Sequence, residues 1–78
     1  MAKISARGAT EVGRVKARTT SGVEFLFVMT SDGRVLRRAT GDLATGYILL
    51  SRGVAPQRRN IETLRRIVTS CYRMNIIS

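Results

Sequence analysis

The sequence predicts an α+β fold: an antiparallel meander of three to four strands with one C-terminal helix packed on one face, in the order ββββα. Three observations predict it. Val12, Arg14, Lys16 and Arg18 alternate with Gly13, Val15 and Ala17, a period of two that suits a strand with one charged side. Residues 23–30, VEFLFVMT, are dense in aromatic and β-branched side chains. Ile61, Leu64, Ile67, Val68, Cys71 and Met74 then recur at spacings of three and four, the mark of an amphipathic helix.

Each element follows in order. Residues 1–9 read as a flexible basic arm, because Ala2, Ser5, Ala6, Gly8 and Ala9 pack little around Lys3 and Arg7. Residues 10–78 form the single small domain that this length allows. The first strand ends at Thr19-Thr20-Ser21-Gly22, which is turn chemistry. A three-residue loop with Gly22 in the bulge position sets Arg18 opposite Glu24 and Val15 opposite Phe27. Val15, Ala17, Phe25, Phe27 and Met29 then share the core side, and Arg14, Lys16, Arg18, Glu24, Leu26 and Val28 the other. A slip of one residue would set Arg14 and Lys16 beside the phenylalanines. Ser31-Asp32-Gly33 closes a second tight turn, with Gly33 suited to a left-handed backbone. Residues 34–40 form a third strand, Gly41–Gly46 a loop, and residues 47–51 a short fourth strand. Gly53 and Pro56 break the chain before the helix.

Asn60 is suited to cap that helix, expected over residues 61–74. Glu62 lies in its first turn, four residues before Arg66 and so spaced for an ion pair. Cys71 falls on the apolar stripe, which predicts a buried thiol. Asn75 is placed to cap the end, with Ile76-Ile77 returning as a short strand or packing under the sheet.

Charge carries the functional signal. Fourteen basic residues against five acids give a net charge of +9, and twelve of the fourteen are arginine. Arginine grips phosphate or carboxylate with two parallel hydrogen bonds and stacks on bases. A GC-rich genome would favour the same residue. A lone cysteine forms no internal disulfide, and no apolar run approaches a membrane span, so a cytoplasmic protein is expected.

Catalysis has little to work with. Histidine is absent, the five carboxylates are scattered, and one cysteine without histidine builds no metal site. The glycines match no nucleotide-binding pattern. No enzyme activity and no cofactor are expected.

Two constellations remain for nucleic-acid binding. Arg14, Lys16 and Arg18, joined by Arg38, lie on one sheet face, where strand residues are spaced to meet phosphates. Arg58, Arg59, Arg65, Arg66 and Arg73 cluster along the helix. Each group is also what a solvated surface would carry. Tyr47 and Tyr72 are the only tyrosines available for stacking, which favours duplex DNA held through phosphates over single strands, with RNA as a further possible partner.

Strands followed by one helix, with arginines on the open sheet face, resemble the small sheet-reading DNA-binding modules of plant regulators and the arm-binding domains of phage integrases. The chain departs from both in having no tryptophan and a fourth strand. Its small, arginine-rich character also resembles a phage accessory protein.

The sequence therefore predicts a small non-enzymatic nucleic-acid-binding protein. The competing expectation is a small adaptor or inhibitor docking on an acidic protein. For it, Leu26, Val28 and Leu36 would form an apolar centre rimmed by arginines, a patch that would equally serve a homodimer.

Overall fold

The computed structural model describes residues 9–41 and 46–78. It has a five-stranded antiparallel sheet and one C-terminal helical segment, an α+β arrangement. The strands are β1 (Glu11–Arg18), β2 (Glu24–Thr30), β3 (Val35–Ala39), β4 (Ile48–Ser51) and β5 (Asn75–Ile76), in the spatial order β4-β3-β2-β1-β5. The expected arm, apart from the buried Ala9, and residues 42–45 of the Gly41–Gly46 loop lie outside the described residues.

Two loops of the same design set the register. In Thr19–Val23 and in Thr30–Arg34 a threonine precedes three loop residues ending in glycine. The residue after the glycine donates its N–H to the threonine hydroxyl, Val23 to Thr19 at 3.0 Å and Arg34 to Thr30 at 3.1 Å. The glycine N–H returns to the threonine carbonyl in both, at 3.0 and 3.1 Å. Gly22 and Gly33 close the loops with φ of +93° and +87°, angles that few residues other than glycine adopt. The first loop imposes the pairs Arg18–Glu24 and Val15–Phe27 across β1 and β2, as the sequence predicts.

One side of the sheet is the core. Val15, Ala17, Phe27, Met29, Val35, Leu64 and Val68 are at most 1% exposed. Phe27 lies at the centre, its ring 6.5 Å from that of Phe25 in edge-to-face contact and 5.7 Å from that of Tyr72. The helix α1 (Ile61–Arg66) starts where expected, with the Asn60 side chain accepting the Thr63 N–H at 2.9 Å.

The helix then departs from the expected form. Residues Ile67–Cys71 form a π turn, with the Tyr72 N–H reaching the Ile67 carbonyl at 3.3 Å. A π turn holds more residues than an α turn. Side chains three apart no longer lie above one another, so Val68 stays buried while Cys71 rotates into solvent, contrary to the buried thiol expected from spacing. Tyr72, four residues after Val68, swings inward onto Phe27 instead. Arg73 rather than Asn75 ends the segment, in the left-handed region at φ +54°, and the Met74 N–H turns back to the Val68 carbonyl at 3.2 Å. Asn75 is the first residue of β5, which pairs with β1.

A cationic sheet groove and an unpaired arginine surface

The outer side of the sheet gathers the first predicted constellation. A bulge at the start of β1 sets two residues, Glu11 and Val12, against Thr30. In a regular strand residues three apart face opposite sides. The bulge restores them to one side, and Glu11 takes both Arg14 Nε at 2.6 Å and Nη2 at 2.8 Å. Those bonds hold the Glu11 carboxyl below its ordinary range and raise the Arg14 guanidinium further. Lys16 and Arg18 share Glu24, at 3.8 and 3.5 Å.

Arg14, Lys16 and Arg38 line a groove of about 480 Å³ with Glu24, Thr40 and Ser78, over a floor of Leu26. Arg38 lies 5.6 Å from the Tyr47 ring centre, and its Nε is buried without a hydrogen-bond partner. Four basic side chains, Arg14, Lys16, Arg18 and Arg38, thus face two acidic ones, Glu11 and Glu24.

The expected apolar centre, Leu26, Val28 and Leu36, lies on this face and is buried. Leu26 and Leu36 are 7% exposed and Val28 is fully buried. The register explains this. Leu26 lies between Lys16 and Arg38, Val28 between Arg14 and Leu36, and Leu36 between Val28 and Leu49, so basic stems flank Leu26 on both sides and Val28 on one.

The second constellation divides. Arg59 is not free: its Nε donates to the Val54 carbonyl at 2.6 Å and its Nη1 to the Ser31 carbonyl at 3.1 Å, tying the connector to the β2–β3 loop. Arg58, on a 3₁₀ turn over Pro56–Arg58, is exposed. Arg65, Arg66 and Arg73 share the solvent side of the helical segment with Thr69 and Ser70. No ion pair forms between Glu62 and Arg66, although their spacing allows one.

Sorting every described arginine by partner gives the geometry its shape. Arg14 and Arg18 pair with carboxylates, as does Arg34 with Asp32 at 3.0 Å. Arg37 lies 4.5 Å over the Phe25 ring, and Arg38 over Tyr47. Arg52, Arg58, Arg65, Arg66 and Arg73 are exposed and form no ion pair among the described residues. Arg52 was not singled out from the sequence. Its signal was available, since it follows an apolar strand and precedes Gly53 in a segment free of acids.

Such a surface can hold a polyanion by charge-assisted hydrogen bonds without first breaking internal ones. No group of three metal-ligating side chains forms among the described residues, and no described helix is long and apolar enough to cross a membrane. Compared with known proteins, the chain matches no family model, no curated protein and no solved structure.

Proposed function

We propose that this protein binds nucleic acid through phosphates, with the connector and helical segment as the principal contact and the sheet groove as a secondary one. The single observation that carries this reading is the set of five exposed arginines, Arg52, Arg58, Arg65, Arg66 and Arg73, without ion-pair partners among the described residues. A guanidinium already paired to a carboxylate must give up that bond to meet a phosphate. An unpaired one sheds only water and counterions. The sheet cations Arg14, Lys16 and Arg18 carry that handicap, through Glu11 and Glu24. The helix cations do not.

The chemistry is non-enzymatic and mainly sequence-independent. Five phosphate contacts imply a log–log slope of affinity against salt near −4.5, from about 0.9 per neutralised phosphate on duplex DNA. Titration of a labelled duplex by fluorescence anisotropy at several salt concentrations tests this. The triple variant Arg65→Gln, Arg66→Gln, Arg73→Gln should lower affinity broadly across sequences and bring the slope to about −2. The triple change of Arg14, Lys16 and Arg18 to alanine should lower it less. A greater loss in the sheet variant would move the contact to the sheet. A flat salt response with only micromolar or weaker binding at low salt would end the nucleic-acid reading.

A further inference from the structure

The core side of the sheet is wider than the helix that covers it. Strands lie about 4.8 Å apart, and a helix with its side chains is about 10 Å across, so one helix covers roughly two strands. Here α1 packs on β1 and β2, and the π turn reaches β5. Val54 and Leu50 pack against the core cluster to which Val35 of β3 belongs. The Ala39 end of β3, with β4, has no described element over it.

Five side chains of that shelf belong to the core side by register: Val23, Phe25, Arg37, Ala39 and Ile48. Val23 is 47% exposed and Ile48 51%, the two highest values among the large apolar residues. A cleft of about 630 Å³ opens beside Val23, Phe25 and Ala39; Glu24, which also lines it, has its carboxylate paired with Lys16 and Arg18. The Arg37 guanidinium lies over the ring of Phe25, one of the lining residues, and its Nε is buried with no hydrogen-bond acceptor. The Arg37 guanidinium has no carboxylate within ion-pair distance among the described residues, and a carboxylate is the group that meets it best.

We infer that this shelf docks an acidic amphipathic helix from a protein partner, laid beside α1, with apolar side chains on Val23, Phe25 and Ile48 and a carboxylate on Arg37. Charge complementarity selects the occupant. The chain carries +9, so an acidic partner is drawn to it. A second copy is disfavoured on the same ground and on a second one. Its own helical segment has its apolar stripe, Leu64 and Val68, already buried and offers Arg65, Arg66 and Arg73 outward.

Three synthetic helical peptides test the inference against the full chain, by NMR shift mapping and fluorescence anisotropy. One carries a leucine stripe with glutamates on the polar side, one the same stripe with lysines, and one the first composition scrambled to break the stripe. The glutamate peptide should shift the amides of Val23, Phe25, Arg37, Ala39 and Ile48. Arg37→Gln or Ile48→Asp should weaken it about tenfold or more, and Ile48 is exposed enough for that change to leave the fold intact. The inference is overturned if no peptide binds, if the scrambled or lysine peptide binds as well, or if the shifts centre on Arg65 and Arg66. Shelf shifts that depend on protein concentration without peptide would also overturn it, by showing a second copy there.

Discussion

Replacing Gly33 with alanine probes the junction that joins hairpin, connector and helix. Gly33 has φ +87°, a region that costs an L-residue about 1–2 kcal/mol. An added Cβ would lie 2.7 Å from the Val54 carbonyl oxygen and 2.9 Å from both Nε and Nη2 of Arg59. Neither neighbour is a free end. The Val54 carbonyl holds Arg59 Nε at 2.6 Å, and the Val54 N–H holds the Gly33 carbonyl at 3.0 Å. Relief of the clash therefore breaks at least one charge-assisted hydrogen bond, which we set at about 1–2 kcal/mol because Arg59 is half-exposed. The total is about 3 kcal/mol, a large part of the stability of a small domain. Gly22→Ala is the internal control. Its φ is +93°, yet nothing lies within 4 Å of the added Cβ, so it should lose only the conformational share. Urea unfolding followed by far-UV circular dichroism gives both numbers. If Gly33→Ala falls within about 0.5 kcal/mol of Gly22→Ala, the junction adds nothing and the reasoning fails.

Phe27→Ala should destabilise by about 3–5 kcal/mol, since a fully buried ring between sheet and helix leaves a cavity; a loss under about 1 kcal/mol in the same assay would remove Phe27 from the core. Arg73→Gly should raise stability by about 0.5–1 kcal/mol in thermal melts, because it relieves a left-handed non-glycine residue, while lowering the salt slope of duplex binding by about 0.9. Acid should destabilise the fold. The Arg14 bonds hold the Glu11 carboxyl down, and the Thr30 hydroxyl and then Arg34 do the same for Asp32. Both favour the deprotonated form on folding, so their contribution is full above the ordinary carboxylate range near pH 4 and fades as pH falls through their lowered values. Glu11→Gln should flatten that fall, and a melting profile unchanged by it would refute the pairing.

The strand meander was legible because its signals are local. Period two, the Thr20–Gly22 loop and the aromatic density of β2 specify the register and faces of the first hairpin, down to the Arg18–Glu24 pair. The helix was legible at its start, where Asn60 caps, and illegible at its end. No residue between Ile67 and Cys71 marks a π turn, and its consequence for Cys71 and Tyr72 comes from packing against Phe27. Among the site residues, positions were readable and partners were not. Arg58 and Arg59 are adjacent and identical in sequence, yet one is exposed and the other holds two carbonyls from different segments. The apolar row Leu26, Val28, Leu36 was correctly placed on the outer face. Its burial depends on which side chains the register sets beside it, Arg14, Lys16, Arg38 and Leu49, which alternation along one strand does not encode.

Loop length also governs something that no single side chain does. Between Thr19 and Val23 the count of loop residues decides the parity of the whole first strand. One inserted residue there would invert β1 and carry Arg14, Lys16 and Arg18 in toward Leu64 and Val68, while Val15 and Ala17 turned outward. Two inserted residues would restore the sides and leave only a longer loop. The chain should therefore tolerate even insertions at Thr20–Gly22 far better than odd ones, so sequence drift at this turn is constrained in number as well as in kind.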